Sequence, residues 1–195
     1  MHDCNYMSTL VSYISQVSPI TDPDLTLLLS ACESRPLKRG EVLLQEGQVC
    51  RALYLVEKGY LRTYYNKDGV EINLNFTFEG DFTTNFKSIK TKLPSELSIE
   101  AGEETAVWIF RLDALAGKVN TYPQIIEFIR RLAIRLLMAS EDHSNLFKIY
   151  TPAERYQYIE KHNPQLLQRV SLSQLASYLG VTRETLSRIR SKTQL

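Results

Sequence analysis

Residues 171–192 read SLSQLASYLGVTRETLSRIRSK, and no other stretch of the chain packs so many local signals together. Ser171 and Gln174 form a capping box for a first short helix whose apolar face is Leu172, Leu175, Ala176 and Leu179. Ala176 is small enough for a second helix to cross closely, and Gly180 stands where the chain needs a left-handed turn after a helix. Val181 plugs the angle, and Thr182 caps a second helix buried along Leu186 and Ile189. Its other face presents Arg183, Glu184, Ser187, Arg188 and Arg190. Cap, small residue, turn glycine and plug sit at mutually consistent offsets. They favour a helix-turn-helix over an ordinary solvated helical hairpin.

The polar face has the chemistry of a major-groove reader. Arginine bonds bidentately to guanine, a carboxylate accepts from cytosine, and hydroxyls serve base or phosphate. The expected DNA contacts are Ser171, Thr182, Arg183, Glu184, Ser187, Arg188 and Arg190. Charge distribution agrees. From residue 151 onward seven Lys/Arg face three Glu, whereas in 36–110 eleven acids face nine bases, although the whole chain carries only +1.

Working back toward the N-terminus, Thr151-Pro152-Ala153-Glu154 is a helix start, with that helix expected to stop before Asn163-Pro164. A long helix is expected from Tyr122-Pro123 to about Tyr150. In it Ile125, Ile129, Leu132, Leu136, Ala139, His143 and Leu146 follow a coiled-coil spacing. The seam could pack on its own chain, but at about 40 Å the helix exceeds what so small a domain needs. That length favours a seam between two chains.

Between 36 and 111 the texture is short apolar runs broken by turns: Val42-Leu43-Leu44, Ala52–Val56, Tyr60–Tyr65 and Val70–Phe76, with further strands at 97–100 and 106–111. Asp68-Gly69 between two such runs signals a hairpin, and the whole pattern predicts an antiparallel roll. Residues 8–34 read as two short helices, the second with Asp22 as cap and Pro23 at its first position. The expected architecture is α+β in three parts: a roll over 1–121, a long helix over 122–150 and a helix-turn-helix domain over 151–195.

Composition excludes several classes. Hydrophobic residues make up 44% and charged residues 23%, ordinary globular values. Cys4, Cys32 and Cys50 form no CxxC pair, so neither a disulfide framework nor a cysteine metal site is expected. Nothing resembles a signal peptide or a membrane span, so the expected compartment is the cytoplasm. A cupin-type enzyme would need metal-binding histidines in the roll; His2, His143 and His162 all lie elsewhere. No nucleophile–base pair or phosphate loop stands out, so no catalytic residue, metal or cofactor is expected.

The chain resembles the cyclic-AMP receptor / fumarate-nitrate regulator (Crp/Fnr) family along nearly its whole length. The likeness lies in Gly40-Glu41, Leu43, Glu46-Gly47, Leu53–Val56, Gly59, Asp68-Gly69 and Glu79-Gly80-Asp81-Phe82. It continues in Ala153-Glu154-Arg155, Leu175-Ala176, Leu179-Gly180-Val181 and Arg183–Arg188. The resemblance implies a cyclic-nucleotide-binding-like jelly roll, a dimerisation helix and a DNA-reading domain whose base contacts are Arg183, Glu184 and Arg188. It also implies a homodimer on double-stranded, palindromic DNA, with RNA polymerase as a further partner. Family members that bind cyclic nucleotide carry a Gly-Glu pair for the ribose and an Arg-Ser pair for the phosphate. Here those places read Thr83-Thr84-Asn85-Phe86 and Pro94-Ser95-Glu96-Leu97.

A buried phosphate needs a cation, and Glu96 would repel it. The pocket, taken as Phe82, Asn85, Ser95, Glu96 and Ser140, is therefore expected to be reshaped for another small effector or empty. Three scattered cysteines do not supply an iron–sulfur cluster. His143, the only histidine of the roll or long helix, suits a register-setting place in the seam better than haem ligation. Any wing beside the helix-turn-helix should be short or lie within 163–170. The competing reading keeps the fold but makes the chain a sensing module that acts on a protein partner instead of DNA.

Overall fold

A computed structural model describes residues 3–115 and 121–193. Two helices open the chain, α1 (Asp3–Val17) and α2 (Asp24–Ser30). Asp22 does not cap α2: its carboxylate accepts from Thr26 Oγ1 at 2.7 Å, and Pro23 occupies the cap position without a side-chain bond. Asp24 does the capping work elsewhere. Its Oδ2 accepts from the backbone N–H groups of Gln124 and Ile125 at 2.8 and 3.3 Å, binding the free donors at the start of the long helix. The helical reading of 8–34 also ran too far. Cys32–Leu37 is a strand, β1, paired antiparallel along Thr105–Arg111 from Cys32↔Phe110 to Leu37↔Thr105. It lies at a sheet edge, where Pro36 leaves no ladder bond unmade.

Among the described residues the roll has eight strands: β1, β2 (Val42–Leu44), β3 (Ala52–Lys58), β4 (Leu61–Lys67), β5 (Val70–Thr77), β6 (Phe82–Thr83), β7 (Ser98–Ala101) and β8 (Thr105–Arg111). They form two four-stranded sheets, ordered β1-β8-β3-β6 and β2-β7-β4-β5. Asp68 and Gly69, both at positive φ (53° and 87°), close the β4–β5 hairpin with Lys67 opposite Val70.

The continuous apolar run of β3 is explained by burial on both faces. Ala52, Tyr54 and Val56 join Leu37, Leu61, Ile99 and Val107 in a core between the sheets. Leu53 and Leu55 point the other way, into a second core with Leu10, Ile14, Leu28, Phe110, Phe128 and Leu132. Helices therefore cover the outer face of one sheet, and the second sheet lies beyond.

Two short helices interrupt segments that carried no helical expectation. The first, α3 (Phe86–Thr91), follows β6; Asn85 caps it by accepting from Ser88 N at 3.0 Å. The long helix is α4 (Pro123–Ile149), followed by α5 (Pro152–His162), α6 (Pro164–Arg169), α7 (Leu172–Tyr178) and α8 (Arg183–Thr193). The segment reserved for a wing is thus occupied by α6. Pro164 at its first turn starts a new helix just after Asn163 ends the previous one. No helix among the described residues is long and apolar enough to cross a membrane.

Candidate nucleic-acid interface and ligand cavity

The C-terminal helices assemble from their own local signals. Thr151 and Glu154 close a full capping box on α5, which keeps the Glu154 carboxyl below its ordinary pKa through bonds from the Thr151 backbone and hydroxyl. Ser171 Oγ accepts from Gln174 N and Thr182 Oγ1 from Thr185 N, at 3.3 and 3.2 Å, capping α7 and α8. Gly180 has φ +67°, and the N–H of Val181 reaches back to Ala176 O at 3.0 Å. A Cβ at Gly180 would meet Phe147 Cε1 at 2.9 Å, so both turn geometry and space require glycine there. Leu175, Ala176, Leu179 and Leu186 bury together with Tyr156, Ile159, Leu166 and Val170.

Outside this small core, Arg183, Glu184, Ser187 and Arg188 are all exposed and surround one shallow cleft with Leu172. Among the described residues, no carboxylate pairs with Arg183, Arg188 or Arg190. Arg190 is only half-exposed, at the far edge of the face. Ser171 and Thr182 are exposed too, but their oxygens already serve as helix caps. The face can thus offer free guanidinium groups, one carboxylate and one hydroxyl to a groove, together with a helix N-terminus for phosphate.

The helical domain is seated on the roll through residues that carried no sequence expectation. Ser177 Oγ receives the N–H of Asn73 at 3.0 Å and donates to Glu71 O at 3.1 Å, stitching α7 to β5. Arg169 binds both oxygens of Glu79 at 2.8 Å, bonds Glu103, and lies over the Tyr60 and Phe78 rings. Burial opposes ionisation of Glu79, yet the bonds from Arg169 hold its carboxyl below the usual range. Arg155, in the family-like Ala-Glu-Arg triplet, donates to the carbonyls of Leu179 (2.9 Å), Tyr150 and Phe147. It therefore ties the end of α7 to the end of α4. Charge alone could not have revealed these roles, since each arginine reads as a surface cation in sequence.

A cavity of about 410 Å³ lies between the roll and α4. Its polar lining is Thr63, Asn75, Thr83, Thr84, Ser140 and His143, and its apolar lining includes Phe86, Leu97, Leu136 and Leu137. Of the five residues expected there, only Ser140 lines it. Phe82 packs in the core against Phe110 and Phe128, at ring separations of 5.9 and 5.8 Å. Asn85 and Ser95 are buried in bonds to each other and to backbone, so they shape α3 and its exit. Glu96 is exposed and paired with Lys87 at 2.8 Å. The correction has one cause: helix α3 turns this segment, so its buried polar groups satisfy the loop instead of opening into the cavity. Arg62, the buried cation of β4, also faces away from Thr63 and is held by Glu100, Glu71 and Asn73.

The expected two-chain seam is corrected as well. Ile125, Leu132 and Leu146 are buried within the chain, Ile129 and Leu136 are partly buried against its second core, and His143 stacks on Tyr178 with ring centroids 4.6 Å apart. Only Ala139 of the seven is exposed. A heptad-like spacing shows that one face is covered but not which chain covers it. The large apolar residues α4 leaves in solvent are Ile126, Ile134, Leu137 and Met138 along its middle, with Phe147 and Ile149 at its end.

Residues 34–122 match the family model described as cyclic nucleotide-binding domain. The "cAMP-activated global transcriptional regulator CRP" of Salmonella typhimurium is 23% identical over 193 residues, covering 88% of this chain and 87% of that protein. FixK2 from Bradyrhizobium japonicum superposes with a TM-score of 0.72 at 22% identity over 84% of each chain. A putative transcriptional regulator of the Crp/Fnr family from Eubacterium rectale gives 0.71 at 20% identity, over 94% of this chain and 88% of that one. The Salmonella typhimurium and Eubacterium rectale proteins are named as regulators, and the structural likeness is one of fold.

Proposed function

We propose that the chain is a regulator of the Crp/Fnr type and that it acts as a homodimer on palindromic double-stranded DNA. The observation that carries the reading is the exposed, unpaired face of Arg183, Glu184, Ser187 and Arg188 on a capped helix. Arg183 and Arg188 are the guanine readers, Glu184 accepts from cytosine, and Ser187 serves base or phosphate. Arg190 lies at the edge and Ser171 and Thr182 at helix starts, where phosphate is favoured. The second chain is proposed to pack on Ile126, Ile134, Leu137 and Met138, the face of α4 that its own roll does not cover. Pairing there would set two α8 helices roughly 34 Å apart, one turn of DNA.

The roll is the sensing part, the compartment the cytoplasm, and RNA polymerase a partner at the promoter. A small molecule held between roll and α4 would change how the helix pair is held and thereby the spacing of the two reading heads.

The test is selection of bound sequences from random DNA with purified full-length protein, alongside its solution mass. A palindromic motif recovered from a dimer is the expected result. Binding that tracks salt but enriches no motif would reduce the face to general phosphate contact and overturn the reading. Unchanged promoter control by an Arg183→Ala/Arg188→Ala variant would point instead to a protein partner.

A further inference from the structure

A second cavity, of about 390 Å³, is lined by the loop between β2 and β3, by α3 and by the turn after β8. No residue of α4 lines it, and it shares no residue with the cavity described above. Its lining is sorted by depth. Val49, Cys50, Ile89 and Leu112 are buried or half-buried, whereas Arg51, Lys92 and Asp113 are exposed. Ile89 packs against both cores of the roll.

The walls are fixed by backbone bonds before any ligand arrives. The Cys50 N–H donates to Ser88 Oγ at 2.9 Å, tying the loop to α3. The Leu112 N–H donates to Arg51 O at 3.0 Å, tying the same loop to the segment after β8. The charge on the exposed side is unbalanced. Arg51 and Lys92 have no ion-pair partner among the described residues, while the Asp113 carboxylate accepts the N–H of Ala114 at 3.1 Å. Lys92 also ends α3 at φ 58°, a left-handed conformation that glycine or asparagine adopts more readily. The chain thus keeps a long cation at a position where a smaller residue would be less strained.

We infer that this cavity binds a straight-chain carboxylate, with its alkyl chain on Val49, Ile89 and Leu112 and its head taken by Arg51 and Lys92. The volume suits a small ligand, and the half-buried side chains reward an alkyl chain for leaving water. A carboxylate on the exposed side keeps part of its hydration and meets two cations, so it escapes the desolvation that a buried anion suffers. An ammonium head would meet charge of its own sign. The site stands apart from the reading of α8 and does not depend on it.

The experiment uses full-length protein with isotope-labelled isoleucine methyl groups, in which the Ile89 signal is the one lost in Ile89→Val. Hexanoate, octanoate and decanoate are titrated at low salt, below the concentrations at which they form micelles, with octanamide and octylammonium as controls. Octanoate should move the Ile89 signal saturably. Each added pair of methylenes should tighten binding about fivefold, part of the full transfer free energy because the cavity is open on one side. Octanamide should bind about fivefold more weakly than octanoate, the worth of exposed ion pairs, and octylammonium more weakly still. Arg51→Gln/Lys92→Gly changes two residues that line this cavity and not the one against α4. It should melt like the parent, since glycine accepts the positive φ, and should bind octanoate and octanamide alike. The inference fails if no chain length moves the Ile89 signal, if either control binds as tightly as octanoate, or if the double variant keeps the preference for octanoate. An Ile89 signal that shifts with protein concentration alone would give the cavity to a second copy of the chain and overturn the inference too.

Discussion

On α8, Arg183 and Arg188 stand in solvent without a carboxylate partner among the described residues, whereas the cavity against α4 has no charged side chain on its wall. Two faces of one chain therefore ask for opposite partners. The exposed, cationic one suits a polyanion that brings its own counterions to release. The concave, uncharged one excludes anions through desolvation. The difference teaches that the chain separates its electrostatics by depth. Arg62, Arg155 and Arg169, buried or half-buried, are engaged inside the protein, whereas Arg183 and Arg188 stand exposed without an ion-pair partner among the described residues.

The largest test of that division lies on α4. Leu132 is buried against the roll while Leu137 is two-thirds exposed. Leu132→Glu should destabilise the fold by on the order of 5 kcal/mol, since it loses apolar packing and buries a carboxyl without a partner. Leu137→Glu should keep the melting temperature and yield monomers by sedimentation. A Leu137→Glu protein that stays dimeric would move the interface off this face.

Next in size are the arginines of α8. Arg188→Ala should lose about 1–3 kcal/mol on the best operator, less on others, and change thermal stability little. Equal loss on every sequence in a binding titration would make Arg188 a phosphate contact only.

Arg169→Ala probes the engaged class. It leaves Glu79 and Glu103 without their cation at the seat between α6 and the roll, and should cost about 2 kcal/mol in a denaturant melt. Stability unchanged by this substitution would mean that the seat is held without Arg169, by the packing of Tyr60, Phe76 and Phe78 with Leu166, Val170 and Leu175.

The smallest effect is a pH dependence from the cavity wall. Burial lowers the His143 pKa in the folded chain, so on acidification the unfolded chain takes up this proton first. Its contribution to stability is present above the ordinary value of 6.5 and is lost as pH falls from there through the depressed folded value. The difference in stability between the parent and His143→Phe should therefore narrow or reverse as pH drops from 7 toward 5, approximately the range in which histidine titrates. A difference independent of pH would show that the ring is not desolvated.

The helix-turn-helix was legible from residues 171–192 because every signal in it acts within four or five positions. Gly180, Thr182 and the Leu175/Ala176/Leu186 core do in the structure what their spacing predicted, and Ser171 caps α7, although the Gln174 side chain bonds the Ser171 hydroxyl and does not complete a capping box. The two-residue Asp68-Gly69 turn and the strand runs were legible for the same reason, being local backbone preferences. The cavity was not. Its wall is drawn from β4, β5, β6, the start of α3, the stretch before β7 and α4, and no local pattern reports that these six segments meet. Likewise the spacing of Ile125, Leu132 and Leu146 announced a covered face of α4, but burial is non-directional and any apolar surface can provide it. Only the packed chain decided that the roll does so, that Asp24 caps α4 instead of Asp22 capping α2, and that Glu96 turns out to solvent. Elements, caps and the reading face follow from short-range chemistry in the sequence; which surface meets which, and so where an uncharged cavity is left, depends on long-range contacts that only the tertiary structure sets.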